Sequence, residues 1–330
     1  MRHTHKSIPI TDRSSVGEAR RAAKSAAQML GFDTSRRSNI GIVATEAANN
    51  ILLHAQRGEF LICPGKNTDA FWLDLIALDL GPGISDIGRA MEDGYSTIGT
   101  PGQGLGAIKR LSDASSLYSA PGKGTAYWSR FESGPLPHSA VVSLPVLGET
   151  VPGDSYFVHK SGSRSVYMVV DGLGHGPGAT EAADQAVSST QTFLNCGPAE
   201  IIARSHEVMK KTRGAAMAVA IVDEERWTLT YAGVGNISAM LASGSSYKSL
   251  VSQNGTVGAI LPRIVQEYVY PVGSNSMLVM FSDGLTSKTN PTSYAGFQKR
   301  HPMLLAGLLY RDFGRPRDDS TVMVAPLRGN

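Results

Sequence analysis

The second half of the chain takes its architecture from residues 165–187, which read SVYMVVDGLGHGPGATEAADQAV. An apolar run typical of a buried strand leads directly into Asp171, a glycine-rich loop that contains His175, and an alanine-rich pattern typical of a helix. A phosphate, a dinucleotide or a metal ion can each occupy such a corner between a strand and a helix. Residues elsewhere in the sequence indicate which of these ligands is expected.

The corner is a poor nucleotide-binding loop. Gly174, Gly176 and Ala179 follow the permissive G-x-G-x-x-A spacing of dinucleotide-binding folds. However, Asp171 would place a negative charge against the pyrophosphate, and no regular βαβ alternation follows. The Gly-Lys-Ser/Thr ending of a P-loop is absent from the sequence. A dinucleotide-dependent oxidoreductase is therefore a remote alternative.

Further aspartates at predicted strand ends favour a hard cation. Asp154 begins a strand in VPGDSYF, and Asp283 ends one in LVMFSDGL. Asp318 and Asp319 precede the last strand in RDDSTVMV. Oxygen ligands suit Mg²⁺ and Mn²⁺, and Gly172 would leave its own carbonyl open to an ion. An aspartate beside a glycine is also an ordinary turn residue, so the argument depends on several occurring together.

The chain is predicted to form two α+β domains. A first domain is expected over 1–133, a linker over 134–140, where prolines and a glycine interrupt any periodicity, and a second domain over 141–330. The second half contains nine short β-rich runs and three helical segments, which favours an antiparallel β-sandwich flanked by helices. The first half combines predicted helices with predicted strands and a glycine-rich loop.

Charge and hydropathy exclude other classes of function. The net charge is only +3 and the basic residues are scattered, which predicts no nucleic-acid binding. No apolar stretch reaches the length of a membrane span or a signal sequence, so a cytoplasmic protein without a membrane partner is expected.

A second set of polar residues lies in the first half. Glu46 and Asn50 are four residues apart on a predicted helix and therefore project from one face. Alone, they would be an ordinary solvated helix face. Asp79 ends a strand before a Gly-Pro-Gly turn, and three glycines then precede another helix, whose free N–H groups could bind phosphate. These glycines are Gly102, Gly104 and Gly106.

The segments ATEAANN, DLGPGI and GYSTIGTPGQGLGAIKRL resemble the three ATP-binding boxes of GHKL (Bergerat-fold) ATPases, most closely the anti-sigma-factor serine kinases of the RsbT type. The resemblance implies a Bergerat-type α/β sandwich for the first domain, with ATP and Mg²⁺ as its ligands. It implies that Asn50 holds Mg²⁺, that Glu46 activates the accepting hydroxyl, and that Asp79 binds the adenine amino group. The implied nucleotide-contacting glycines are Gly81 and Gly83 at the base and Gly102, Gly104 and Gly106 at the phosphates.

The series GDSYF, VVDGLGHG, GVGNISAML, MFSDGLTS and RDDSTVMV resembles the SpoIIE/RsbX branch of the PPM (type 2C-like) Ser/Thr protein phosphatases. The resemblance implies two Mn²⁺ or Mg²⁺ ions, with Asp171 bridging and Asp283 on the second ion. The implied ligands of the first ion are Asp154, Asp318 and the carbonyl of Gly172.

Two details of this implied centre follow from the alignment of the motifs. Asp318, rather than Asp319, matches the family ligand because it stands three residues before Thr321. His175 occupies the position at which the family loop has a histidine. It could act as a general acid or be an ordinary loop residue.

Together the resemblances imply a fused switch enzyme, in which a serine kinase domain and a PPM phosphatase domain act on Ser/Thr of a STAS-domain partner in a stressosome or anti-anti-sigma pathway. The alternative is a phosphatase whose ATP-binding domain is catalytically silent and serves for docking.

Overall fold

The computed structural model describes residues 4–90, 104–136, 138–273 and 275–327. The chain divides into two compact units, residues 1–137 and 138–330. The predicted phosphate-binding glycine Gly102 lies outside the described residues.

The first unit is a five-stranded antiparallel sheet with helices packed on one face. The order of strands is β1-β2-β3-β5-β4, so the last two strands form a hairpin added to β3. The strands are β1 (Lys6–Ile10), β2 (Gly58–Lys66), β3 (Phe71–Asp79), β4 (Ala114–Ser119) and β5 (Thr125–Ser133). The helices are α1 (Arg13–Leu30), α2 (Thr34–Ala55), the short α3 (Ile87–Ala90) and α4 (Gly104–Leu111).

Local sequence determines where the two long helices begin and end. The Asp12 carboxylate accepts a hydrogen bond from the Ser15 amide and caps α1, and Gly31 ends that helix at a positive φ of 95°. Asp33 caps α2 in the same way. The buried face of α1 consists mainly of small residues, which allow close packing against α2: Ala19, Ala23, Ala26 and Ala27.

The second unit is a sandwich of two five-stranded antiparallel sheets with helices on both outer faces. The first sheet, in the order β13-β10-β9-β8-β7, carries α5 and α6, and the second, in the order β12-β11-β14-β15-β6, carries α7. The strands are β6 (Ala140–Leu144), β7 (Asp154–Ser161), β8 (Arg164–Gly172), β9 (Ala215–Asp223), β10 (Thr228–Val234), β11 (Ser238–Ser243), β12 (Ser246–Ser249), β13 (Tyr268–Pro271), β14 (Ser276–Phe281) and β15 (Ser320–Leu327). The helices are α5 (Pro177–Thr192), α6 (Pro198–Met209) and α7 (Pro302–Phe313).

The apolar sequence of strand β8 reflects the burial of both its faces. Val166, Met168 and Val170 pack against the helix layer, whereas Tyr167 and Val169 face the core between the sheets. Both faces of the strand are covered, so a continuous apolar run replaces the usual alternation of apolar and polar residues. The strand therefore delivers Asp171 to the edge of the sheet from within the core.

The structure confirms the predicted α+β class and all nine β-rich runs of the second half. It adds three strands that the sequence reading does not predict, namely β1, β4 and β12.

Candidate functional site

The two sheets of the second unit bring acidic strand ends together. Asp154 opens β7 and pairs in register with Asp171 near the end of β8. Asp283 lies just after β14 and Asp318 just before β15, and these two strands are neighbours in the other sheet. Antiparallel pairing thus places the end of one strand beside the beginning of the next in each sheet.

The four carboxylates lie near one another in pairs. Asp171 interacts electrostatically with Asp154 and Asp283, and Asp283 interacts in the same way with Asp318. These contacts are pairwise, because no three Asp, Glu, His or Cys side chains among the described residues are arranged to hold a metal ion as they stand. The structure therefore brings the predicted acidic residues together, while their role as ligands remains a prediction.

Burial and mutual repulsion raise the pKa values of these carboxyl groups. Burial is the largest cause for Asp171, followed by the negative charges of the other three, and its pKa is raised to about 9. Burial also dominates for Asp154, whose pKa is raised to about 7. The pKa of Asp283 is raised by burial and by Asp318, against the opposing charge of Arg315. The site thus holds more negative charge than the surrounding protein compensates.

Asp154 has one oxygen that the protein satisfies and one that it does not. Its Oδ2 atom accepts a hydrogen bond of 2.6 Å from the Ser282 hydroxyl, whose oxygen in turn accepts one from the Thr321 amide. Its Oδ1 atom is buried and has no hydrogen-bond partner in the described part of the chain. A buried, unpartnered carboxylate oxygen is unfavourable, and a hard cation is a chemically suitable partner for it.

The adjacent Asp319 has a different environment. Its Oδ1 accepts a hydrogen bond from the Val146 amide and its Oδ2 one from the Gly153 amide, each of 2.7 Å. Both oxygens are used to join the loop before β7 to the start of β15. The Asp319 carboxylate is therefore engaged by the protein itself, and the assignment of Asp318 as the ligand stays a prediction.

The loop after Asp171 packs tightly against helix α5. A Cβ atom on Gly172 would lie 2.1 Å from the carbonyl oxygen of Ala179, so no side chain fits there. His175 lies on the solvent side of the loop, where its Nδ1 contacts Glu149 at 2.9 Å and its side chain is 69% exposed. The described contacts of His175 therefore involve the loop before β7.

Two side chains that touch the acidic cluster were not predicted from the sequence. Asn236 donates a hydrogen bond of 2.7 Å from Nδ2 to Oδ2 of Asp283, and Ser282 holds Asp154. Both residues occur in the quoted motifs GVGNISAML and MFSDGLTS, and this is the sequence signal that could have identified them. Their spacing alone does not indicate which carboxylate each would contact.

In the first unit, the structure brings three predicted residues together. Glu46 and Asn50 project from α2 toward Gly104, the first residue of α4. A Cβ atom on Gly104 would lie 3.2 Å from Oε2 of Glu46 and 3.4 Å from Oδ1 of Asn50. The glycine therefore permits the start of α4 to approach these polar side chains closely.

Asp79 organises the turn after β3. Its Oδ1 accepts hydrogen bonds from the amides of Gly81 and Thr125. Gly83 has a φ of 75°, and a Cβ atom there would lie 2.2 Å from the Ala120 carbonyl oxygen, while one on Gly81 would lie 2.7 Å from Cβ of Ala55. Gly106 is buried within α4. Packing within the protein thus requires the first two glycines, whatever ligand they meet.

Comparison with known proteins agrees with this division of the chain. Residues 161–328 match the family described as Stage II sporulation protein E (SpoIIE), and residues 9–128 match the family described as Histidine kinase-like ATPase domain. The serine/threonine-protein kinase RsbT of Bacillus subtilis (strain 168) is 43% identical over 107 residues, which is 32% of this chain and 80% of RsbT. The chain belongs to the SpoIIE family and, through its first unit, to the family of RsbT.

The second unit has relatives of its own. The phosphoserine phosphatase RsbX of the same organism is 27% identical over 147 residues, which is 44% of this chain and 73% of RsbX. A structure from a study entitled "The bacterial stressosome: a modular system that has been adapted to control secondary messenger signaling" matches with a TM-score of 0.54 and 26% identity, over 56% of this chain and 97% of that one. The chain therefore joins an RsbT-like kinase domain to a PPM Ser/Thr phosphatase domain.

The fold is also shared with the B. subtilis SpoIIE structure that contains the PP2C phosphatase domain and a fragment of the regulatory domain, with a TM-score of 0.50, 14% identity and 96% of each chain covered. None of the helices that the structure describes is long and apolar enough to cross a membrane.

Proposed function

We propose that this chain is a bifunctional partner-switching regulator. Its second unit removes phosphate from phosphoserine or phosphothreonine on a STAS-domain protein, and its first unit uses ATP to phosphorylate a partner of the same type. The observation that carries the proposal is the cluster of Asp154, Asp171, Asp283 and Asp318, in which a buried carboxylate oxygen lacks a protein partner.

The donor set suits a pair of Mg²⁺ or Mn²⁺ ions. Asp171 would bridge them, Asp283 would bind one, and Asp154, Asp318 and the Gly172 carbonyl would bind the other. All of these donors are oxygens, which both ions prefer. When bound, such ions lower the pKa of water and offset the negative charge of a phosphoryl group.

The protein's own contribution at this site is to hold the carboxylates in place. Ser282 holds the Asp154 side chain from one side, and Asn236 holds Asp283 from another. Strand pairing fixes Asp171 opposite Asp154. Such outer contacts orient metal ligands before a substrate arrives.

In the first unit, Glu46 would orient the accepting hydroxyl and Asn50 would hold Mg²⁺ on the ATP phosphates. The close approach of Gly104 to both side chains supports this assignment. Asp79, Gly81 and Gly83 would form the adenine end of the site. Positioning and charge neutralisation are the main requirements of phosphoryl transfer.

The partner class is supported by the pairing of an RsbT relative with an RsbX relative in one chain, and by the likeness to a structure from the stressosome study. Opposing activities on one chain are useful when the phosphorylation level of a docked partner is the output. We therefore expect the partner or the nucleotide to select between them. Identical rates for the intact chain with and without ATP would contradict this coupling.

The hydrolase proposal is tested with a phosphorylated STAS-domain protein in Mn²⁺ or Mg²⁺. The wild type should release phosphate, whereas Asp171→Asn and Asp283→Asn should not, and EDTA should abolish the wild-type activity. Glu207→Gln on α6 is the matched control, because Glu207 is an exposed carboxylate paired only locally with Lys210. Equal phosphate release by all four proteins would refute the assignment.

A further inference from the structure

A short turn between α6 and β9 carries Arg213 in a fixed backbone conformation. The Thr212 amide donates to the Met209 carbonyl at 2.8 Å, and the Gly214 amide donates to the Thr212 hydroxyl at 3.0 Å. Gly214 has a φ of 81°, which favours glycine. The base of the Arg213 side chain is therefore held in one place.

This turn is joined directly to the loop of the acidic site. The Leu173 amide donates to the Gly214 carbonyl at 2.9 Å, and Ala215 pairs in register with Gly172 across β8 and β9. Arg213 therefore stands two residues before the strand position opposite Gly172. Main-chain hydrogen bonds therefore hold the turn that carries Arg213 beside the loop of the acidic site.

The guanidinium group lies across two glycines of the same loop and helix. A Cβ atom on Gly178 would lie 2.7 Å from Nε of Arg213, and one on Gly174 would lie 3.4 Å from its Nη1. A side chain at Gly178 would displace the arginine. Two positions of the corner between β8 and α5 thus leave room for this side chain.

Arg213 is exposed and makes no hydrogen bond or ion pair with the residues that the structure describes. Other arginines of the unit are engaged: Arg164 donates to main-chain carbonyls, and Arg204 pairs with Glu200. The guanidinium group has its full donor capacity available to a ligand, and its planar donors match a phosphate group.

Charge balance indicates which ligand. Two divalent cations would neutralise the four carboxylates of the cluster, so the two negative charges of a phosphomonoester call for further cations at the rim. Arg315 already lies within electrostatic reach of Asp283, and Arg213 has no protein partner among the described residues. We infer that Arg213 binds the phosphoryl oxygens of the substrate, an inference that rests on the hydrolase function proposed above. Arg213 is then the residue that selects a dianionic monoester over a monoanionic diester.

The test uses the full chain in Mn²⁺ with p-nitrophenyl phosphate as the monoester and bis(p-nitrophenyl) phosphate as the diester. Arg213→Ala should raise the KM for the monoester and the inhibition constant of orthophosphate by about tenfold to a hundredfold. The change in kcat should be smaller, the diester should be affected less than the monoester, and Arg213→Lys should recover part of the loss. The control is Arg226→Ala, since Arg226 lies at an exposed hairpin with its side chain 83% accessible.

Two further measurements separate this inference from the function on which it rests. The stabilisation of Arg213→Ala by Mn²⁺ should equal that of the wild type, which excludes general damage to the site. Calorimetric binding of orthophosphate tests Arg213 without turnover. A hydrolysing wild type with unchanged phosphate affinity in Arg213→Ala overturns the inference alone. Arg213-dependent phosphate binding without any hydrolysis supports the inference and overturns the hydrolase proposal.

Discussion

The two candidate sites obtain their polar residues in different ways. In the first unit, Glu46 and Asn50 lie one helical turn apart, and the helix that carries them forms from its own cap and packing. In the second unit, Asp171 and Asp283 come from different sheets and meet only when the sandwich closes. Folding must therefore overcome repulsion between like charges to form the acidic site. Formation of the Glu46–Asn50 site carries no such cost.

This difference has consequences for stability. Removing a carboxylate from the acidic cluster relieves repulsion in the folded protein, even as it removes a proposed ligand. Glu46 is half-buried and has no like charge beside it in the described contacts, so removing its charge should alter chemistry with little effect on folding. Loss of activity should therefore come with unchanged or higher stability in the acidic cluster, and with unchanged stability at Glu46.

The largest effect is expected from the neighbouring acids Asp318 and Asp319. Asp318→Asn should reduce phosphate release by about a thousandfold or more, because a metal-assisted step loses several kcal/mol of stabilisation. Its melting temperature in EDTA should be unchanged or higher. Asp319→Asn should instead lower the free energy of unfolding by about 1–3 kcal/mol, because the Val146 and Gly153 amides lose a charged acceptor.

Phosphate-release kinetics and thermal denaturation in EDTA measure both variants. A strongly destabilised Asp318→Asn protein, together with a stable but inactive Asp319→Asn protein, would reverse the assignment of the two residues.

A second prediction concerns the first unit. Glu46→Gln should reduce phosphorylation of the partner by about a hundredfold or more, because a positioned base is removed. Phosphatase activity and melting temperature should match the wild type. Radiolabel transfer from ATP checks the kinase, and the control is Glu18→Gln on α1, whose carboxylate forms an exposed ion pair with Lys6. If wild type and Glu46→Gln both fail to phosphorylate the partner, the ATP-binding unit serves for docking alone.

A smaller effect is expected at Asn236, which tests whether the acidic site depends on residues that hold its carboxylates. Asn236→Ala removes the hydrogen bond to Asp283, and loss of such an outer contact weakens metal affinity by about 10- to 100-fold. Isothermal titration with Mn²⁺ measures the change. The control is Asn290→Ala, whose side chain caps a turn elsewhere in the unit. Equal affinities in wild type and Asn236→Ala would show that Asp283 needs no support.

The last expected effect is a pH dependence of stability in EDTA. Because the folded pKa of Asp171 is raised to about 9, the native state holds more protons than the unfolded state between about pH 4 and that value. This group therefore makes unfolding easier as the pH rises through that window. Asp171→Asn should be more stable than the wild type, by a margin that grows from pH 5 to pH 9.

Thermal denaturation of both proteins at a series of pH values tests this effect. Saturating Mn²⁺ should remove most of the wild-type slope, because the cation binds the ionised carboxylates. A difference between the two proteins that stays constant with pH in EDTA would show that Asp171 does not titrate in this way.

Much of the architecture follows from the sequence because the apolar runs are long and the caps are explicit. Strands β1, β4 and β12 were missed for a common reason. KSIPI contains a proline, ASSLYS is rich in serine, and SYKS is exposed throughout, yet each forms by pairing at a sheet edge. Edge strands depend on a partner strand, which local propensity does not report.

The sites show the same limit. Motif order predicted that distant aspartates would meet, but only the folded arrangement separates the free oxygen of Asp154 from the fully engaged carboxylate of Asp319. Hydrogen-bond partners such as Asn236 depend on how two strand ends face each other. A single sequence therefore indicates the aspartates of the site more readily than the side chains that hydrogen-bond to them.

The most direct measurement is anomalous diffraction from crystals of the full chain grown with Mn²⁺. Manganese peaks are expected among Asp154, Asp171, Asp283, Asp318 and the Gly172 carbonyl, with Asp319 still bound to the Val146 and Gly153 amides. Crystals saturated with Mn²⁺ that show no manganese in the acidic cluster, or that show it on Asp319, would refute the proposed metal centre.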